Sequence, residues 1–429
     1  MKGKNSLFFI LAGVLLAIFL GYGLLTARAA GDPSIYLPVV YRGVALPPPD
    51  EASQRISVPP GFAIRIFAQG LNDPRFMAVG PDGSLYVALF GAGQIARLPD
   101  QDRSGQVDRV QIVASGLNLP HNMEFHDGSL YVAENDKIER LSNQDANGVF
   151  QTRALVTDNI PGAGGHASRT LHFGPDGKLY VSAGSSCNNC VESDPRRAAI
   201  LRFNPDGSIP SDNPFANDAN PLKRPVWATG LRNAVDFLFT PTGALWADQN
   251  GSDGLGDNLP PEEIVNVIQK GGWYGWPYCY PPLPTGLNQP PVSEVPDTRL
   301  TPPVGTTCDQ AIPALLTDLA HSAPLGMTRS STVNFPAAYQ NDIFVAYHGS
   351  WNTNDPANYR DCKVERVVVQ NGVPVRAETF ANGWRAPGAL CGSSTTWGRP
   401  AGLIFGEDGG LYISDDAGGR IYRIVYIGQ

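Results

Sequence analysis

In the segment Gly164-Gly165-His166-Ala167-Ser168-Arg169, two glycines let the backbone approach a ligand closely. The histidine beside them can accept a proton near neutral pH, which makes His166 a candidate general base. Cationic and amide side chains recur in comparable places: Arg75, His121, Arg232 with Asn233, and Arg399. Guanidinium groups grip carboxylates bidentately, so several of them at one mouth suit a polyanionic ligand. Taken singly, each arginine reads equally well as a surface ion pair, and a lone histidine is more often structural. His172 reads as packing.

Two further stretches carry candidate chemistry. Asp248-Gln249-Asn250-Gly251-Ser252-Asp253 is rich in oxygen donors that suit calcium, although it lacks the spacing of an EF-hand and also reads as a solvated turn. Gly271-Gly272-Trp273-Tyr274-Gly275-Trp276-Pro277-Tyr278 and Tyr347-His348-Gly349-Ser350-Trp351-Asn352 place aromatic rings beside glycines. Such rings form core, or stack on sugars and flat cofactors.

These residues sit at one position of a repeat. A Gly-Leu or equivalent start is followed by an apolar strand, a turn containing Asp-Gly or Thr-Gly, and a second strand such as Leu85-Tyr86-Val87, Leu130-Tyr131-Val132 or Leu179-Tyr180-Val181. Further copies begin at Gly230 and Gly398, and a degenerate one spans Tyr339 to Ala346. Third strands follow at Gln94-Leu98, Lys137-Leu141, Ala199-Phe203 and Arg420-Ile424, with a fourth expected in the variable connections. Small antiparallel sheets repeated about every 45 to 70 residues are the signature of a β-propeller. The expected fold is all-β, a six-bladed β-propeller, with a β-sandwich as the alternative. Polar residues that precede the inner strands then converge on one rim.

Composition agrees. The 429 residues include 47 glycines and 38 prolines with only 17% charged, which favours short strands and tight turns. A net charge of −8 with no basic run after the N-terminus excludes a nucleic-acid footprint. Lys2, Lys4, the apolar run Leu7 to Leu25 and Ala27-Arg28-Ala29 read as a signal peptide over 1–29, or as an uncleaved membrane anchor. A linker is expected over 30–55 and the propeller over 56–429. Six cysteines in an exported chain read as disulfides. Six allow 15 connectivities that order alone does not choose among, and neighbours in order are the expectation: Cys187 with Cys190, Cys279 with Cys308, and Cys362 with Cys391.

The chain resembles the soluble pyrroloquinoline-quinone-dependent glucose/sorbosone dehydrogenase family, whose fold is a six-bladed propeller. The resemblance runs from Pro59 to Ile427. It is carried by Gly165-His166 before Arg169, Gly230-Leu231-Arg232-Asn233, Glu263-Ile264 before Gly271-Pro277, and His348-Gly349-Ser350-Trp351-Asn352. It implies His166 as the catalytic base, with Arg232 and Asn233 beside the quinone oxygens and Asn250, Gly251 and Ser252 offering oxygens to Ca2+. Arg75, Arg169, His348 and Arg399 are the remaining expected cofactor-binding residues. A small sugar is the implied substrate, with electrons passed to an external acceptor. The sequence departs from the glucose-oxidising members at Gly165, where they carry an acid, at His348, where they carry a lysine, and at Asn250-Gly251-Ser252. The His-Gly-Ser-Trp-Asn motif is that of the sorbosone-type branch. A propeller that only binds ligand, and a metal-dependent lactone hydrolase, are the rival readings.

Overall fold

The Asp-Gly turns close hairpins because the glycine adopts a left-handed conformation that a side chain would resist; φ is 76° at Gly83 and 68° at Gly177. Around these turns the computed structural model of the protein, which describes residues 45–283, 293–331 and 334–428, builds six four-stranded antiparallel sheets. They are arranged as a six-bladed β-propeller.

Blade 1 runs Pro74–Val79, Leu85–Leu89, Gln94–Leu98 and Gln111–Ser115. Blade 2 runs Asn122–His126, Ser129–Ala133, Ile138–Gln144 and Phe150–Thr157, and blade 3 runs Leu171–Phe173, Leu179–Ala183, Ala199–Phe203 and Val226–Thr229. Blade 4 takes Phe237–Phe239, Leu245–Gln249, Glu262–Ile268 and Leu316–Asp318, while blade 5 takes Pro324–Arg329, Ile343–Tyr347, Lys363–Gln370 and Val373–Asn382. Blade 6 uses Pro400–Phe405, Leu411–Asp415 and Arg420–Tyr426, and borrows its fourth strand, Phe62–Gln69, from the start of the domain. This last pairing ties the two ends of the propeller together.

Second strands such as Leu85–Leu89, Leu179–Ala183, Ile343–Tyr347 and Leu411–Asp415 are buried at every position. Each lies inside a sheet that has another blade on either face, so the Leu-Tyr-Val triplet packs in both directions. Inner strands of neighbouring blades pack side by side around the axis. Because the first two strands of a blade are antiparallel, the start of one and the end of the other lie at the same end of the propeller. Pro400 pairs with Asp415 and Pro324 with Tyr347, for example.

The expected linker requires a correction at its C-terminal end. Asp50 caps a short helix, Glu51–Arg55, and accepts a 2.6 Å hydrogen bond from the Ile66 amide, while Arg65 Nε donates to the Pro47 carbonyl. Ala52 is wholly buried in the core beside Phe62. The helix is too short to register as a period in the sequence. The expected signal segment, 1–29, and residues 30–44 lie outside the described residues. No helix among the described residues is long and apolar enough to cross a membrane.

All three expected disulfides form, Cys187–Cys190, Cys279–Cys308 and Cys362–Cys391. The second closes the insertion of blade 4, where Cys279–Tyr280 and Val295–Pro296 form a two-stranded ribbon. Tyr274 and Trp276, candidates for ligand stacking, are buried core side chains instead.

Candidate active site

His166 precedes the inner strand of blade 3 and faces the end of that blade's second strand. Its Nδ1 lies 2.9 Å from the carbonyl oxygen of Ser185. A carbonyl only accepts, so the proton resides on Nδ1 and the Nε2 lone pair is left free. Burial, and then the Arg232 cation, pull the imidazole down to about 4, so the ring is neutral at pH 7. Gly184 is required here: a Cβ would come within 2.5 Å of Asn233 Oδ1 and 2.7 Å of His166 Cβ.

One strand order further, Arg232 and Asn233 precede the inner strand of blade 4. Arg232 Nε donates to the Asn188 carbonyl at 2.9 Å, Nη2 to Asn188 Oδ1 at 3.0 Å, and Nη1 to the Asn250 carbonyl at 3.1 Å. Its nearest carboxylate oxygen, Asp253 Oδ2, stands 3.6 Å away. The guanidinium is therefore buried, its hydrogen bonds all go to neutral acceptors, and the partly exposed Asp253 carboxylate faces it at ion-pair distance. Asn250 leaves the second strand of blade 4, its amide donating to the Pro324 carbonyl at 2.7 Å.

These groups surround a cavity of about 400 Å³ whose wall includes His166, Asn188, Arg232, Asn233, Asn250 and Gly251. Asp253, Glu262, His321, Trp351 and Asn352 complete it. Glu262 accepts from the Gly251 amide at 2.7 Å, and burial pushes its carboxyl up to about 7. His321 sits 3.4 Å from Asp253 through Nδ1 and 3.0 Å from the Gly256 carbonyl through Nε2. Its pKa is raised, first by the Asp253 hydrogen bond. Trp351 is 64% exposed and offers an apolar ring at the mouth.

The remaining expected residues lie elsewhere. Arg75, His348 and Arg399 gather at the same end of the propeller but around Asp416, on the side formed by blades 5, 6 and 1. Arg75 pairs with Asp416, His348 Nε2 lies 2.8 Å from it, and Arg399 donates to the carbonyls of His348 and Gly349. Against the burial that would raise it, His348 and then Arg75 hold Asp416 well below the usual carboxylate range, while burial pulls the His348 ring itself below the ordinary histidine value. None of the three lines the cavity. Arg169 is 0% exposed, with Nη1 donating to the carbonyls of His166 and Ser168 and Nη2 to that of Pro161, so it braces the loop behind His166. Ser252 does not line the cavity, and its hydroxyl accepts from Arg299 Nη2 at 2.6 Å. His121 is wholly buried against Phe76, off the rim.

His172 is structural, though polar. It bridges Glu124 at 2.9 Å and Asp236 at 3.3 Å between blades 2, 3 and 4. Burial alone would lower its pKa, but the two carboxylates outweigh it and push the ring up to about 10. Reading the sequence missed Glu262, His321 and Asn188. The first adjoins the Glu263-Ile264 motif and the third lies within the Cys187–Cys190 loop, yet His321 carries no signal because its neighbours in sequence, Ala320 and Ser322, follow no pattern of the repeat.

A family model described as TrAA12-like matches residues 56–426. The chain belongs to that family. The TrAA12-like chain is 27% identical over 403 residues to a pyrroloquinoline quinone-dependent sugar dehydrogenase of Hypocrea jecorina, covering 84% of this chain and 87% of that one. It is 24% identical over 433 residues to a pyrroloquinoline quinone-dependent pyranose dehydrogenase of Coprinopsis cinerea, covering 89% of this chain but 56% of that longer protein. The fold is shared with the holo form of the pyranose dehydrogenase quinone domain from Coprinopsis cinerea, with a TM-score of 0.70, 22% identity, and 86% and 97% of the two chains covered. The TrAA12-like match ends within the last strand of blade 6 and begins at Ile56, so it spans the whole propeller.

Proposed function

We propose that this protein is an exported quinoprotein that oxidises a small sugar, an aldose or a related aldehyde or alcohol, with pyrroloquinoline quinone and Ca2+ and passes the electrons to an external acceptor. The observation that carries the reading is His166: neutral, with its proton fixed on Nδ1 by the Ser185 carbonyl, in the wall of a cavity beside a buried guanidinium. The sequences of the quinone-dependent relatives support it, and three disulfides suit an oxidising compartment.

The cavity fits the cofactor chemically. Pyrroloquinoline quinone is a flat tricarboxylate, and the wall offers the Arg232 cation with the amides of Asn188 and Asn233. Arg75, His348 and Arg399 stand outside the cavity wall, so a cofactor carboxylate meets Arg399 only if the ligand extends past the cavity toward the Asp416 cluster; Arg75 and His348 are already paired there. For Ca2+ the donor set is Asn250, Gly251 and the carboxylate of Glu262, since hard oxygens are what the ion takes and the Ser252 hydroxyl is already engaged. When bound, the quinone supplies the two-electron acceptor for hydride from the sugar carbon.

The residues of the chain do the rest. His166 Nε2 takes the proton of the sugar hydroxyl, general-base work that contributes about 10² to 10⁴-fold. Arg232, itself buried, holds negative charge beside the reacting group, where its field is less screened than in water. Trp351 presents its face to a sugar ring at the mouth, and Asn352, bound to Asp253, fixes the loop that carries it.

The test is a quinone titration in the presence of Ca2+, followed by dye reduction across a panel of aldoses. The expected results are a rise in Tm, as a ligand that binds only the folded state requires, and turnover with at least one sugar. A rise in Tm without turnover on any sugar would leave a propeller that only binds ligand, and no rise at all would overturn the reading.

A further inference from the structure

Blade 3's second strand is followed by Ser185-Ser186-Cys187-Asn188-Asn189-Cys190, in which a disulfide joins cysteines three residues apart with Cα atoms 6.2 Å from each other. So short a ring leaves the residues between the sulfurs little freedom. Its ends are tied as well: the Ser185 amide donates to the Arg232 carbonyl at 2.7 Å, and Ser186 donates to Glu192. Ser185 Oγ donates to the Cys187 carbonyl at 2.6 Å, and the same residue's carbonyl receives the His166 Nδ1 proton.

Inside that ring Asn188 makes four hydrogen bonds, all to residues of blade 4 and its loop. Its carbonyl and Oδ1 accept from Arg232 Nε and Nη2. Oδ1 also accepts from the Asp253 amide at 2.8 Å, and Nδ2 donates to the Asp253 carbonyl at 2.9 Å. Asn188 thus holds Nε and Nη2 of Arg232 and fixes the Asp253 backbone beside them, with the Asp253 carboxylate at an ion-pair distance of 3.6 Å.

We propose that Asn188, locked in the ring closed by Cys187–Cys190, is the positioning residue of the cavity, fixing the Arg232 guanidinium in the wall it shares with His166. The ring serves both partners at once, since Ser185 at its base orients His166. A disulfide at this place therefore acts on site geometry more than on global stability, in contrast to Cys279–Cys308 and Cys362–Cys391, which each close 29 residues of chain. The kinetic consequence rests on the oxidoreductase reading; the structural one does not.

Two variants test it, Asn188→Ala and the double variant Cys187→Ser/Cys190→Ser, each checked for folding by Tm. The first readout is the midpoint of His166 in a histidine-selective 15N NMR titration of the protein without quinone. Burial sets that midpoint low, with the Arg232 cation next, the Ser185 carbonyl and Asp253 opposing, and Arg169 adding to the depression. The expected result is a wild-type midpoint near 4 that rises by about one unit in either variant as the Arg232 cation turns away. The second readout is kcat and KM, with an expected loss of about 100-fold in kcat from misplacement of the reacting groups and a smaller change in KM. An unchanged or lowered midpoint in whichever variant folds overturns the proposal, as does a wild-type midpoint at the ordinary 6.5. If the wild type neither binds pyrroloquinoline quinone nor reduces dye, the oxidoreductase reading falls, and the His166 midpoint still decides the positioning role.

Discussion

On the side of the rim formed by blades 3 to 5, Arg232 is held by the carbonyls of Asn188 and Asn250 and by the Asn188 side chain. On the side formed by blades 5, 6 and 1, Arg75 and His348 share the carboxylate of Asp416. Both clusters occupy the same position of the repeat, before an inner strand or after a second strand. What separates them is the charge of the acceptor. A guanidinium bound by neutral oxygens keeps its field for a ligand, whereas one bound by a carboxylate has its field cancelled at short range. The repeat brings cations to the rim, and the loops decide which of them remain available.

The sharpest way to separate the two sides is to remove one histidine from each. His166→Gln is expected to lower kcat by about 10² to 10⁴-fold while leaving quinone affinity nearly unchanged, as loss of a general base requires. His348→Gln, which removes an Asp416 partner, is expected to change kcat by only about twofold and to lower Tm. Steady-state kinetics and thermal melts on both proteins check the pair. Equal losses of kcat would erase the distinction between the two sides.

The acids distinguish the sides next. Asp416→Asn leaves Arg75 without its buried counter-charge and His348 without its hydrogen-bond partner, and breaking such a buried ion pair costs about 3–5 kcal/mol. Asp253→Asn removes a carboxylate that is 44% exposed and 3.6 Å from Arg232, so its cost is expected to stay below about 1 kcal/mol after screening. Urea unfolding of the two variants gives both numbers. A larger loss for Asp253→Asn would place the structural ion pair on the cavity side.

The smallest effect is the response to pH, where the sides also part. His166 has a folded-state pKa depressed to about 4 from 6.5, so the unfolded chain takes up the proton first. Its contribution is complete above the unfolded value and lost as pH falls toward 4. Asp416 is depressed as well, so its contribution is present above the ordinary carboxylate value of 3.8 and is lost only on further acidification. Glu262 is raised to about 7, so its contribution is complete below the ordinary 4.5 and lost as pH rises through about 7. The expected profile is activity that persists on the acid side down to about pH 4, where the fold held around Asp416 is still intact, and a gentle loss of stability on the alkaline side. Activity and Tm measured across pH 3 to 9 check it, and an acid limb at 6.5 would show that His166 is not shielded.

Much of the fold was legible because it rests on local chemistry. Asp-Gly turns and Leu-Tyr-Val strands each state their own conformation, and their recurrence states the number of blades. The strand Phe62–Gln69 was not legible as a member of blade 6, since its partner, Arg420–Tyr426, is hundreds of residues away and no local pattern links them. The helix Glu51–Arg55 escaped for the opposite reason, being shorter than one readable period.

The site divided in the same way. The sequence by itself determined that His166, Arg232 and Asn233 arrive at one rim, because each precedes an inner strand and the repeat sends that position to the same end. The pairing of the cysteines was an expectation among 15 connectivities, and the structure decided it. Only the tertiary structure decided which acceptor each of these groups meets: Asn188 for Arg232, Asp416 for Arg75 and His348, and backbone carbonyls for Arg169. Those partners come from other blades or from loops that share no pattern with the repeat. A hydrogen bond of 3 Å depends on where two loops end in space, and that is set by the closure of the whole propeller.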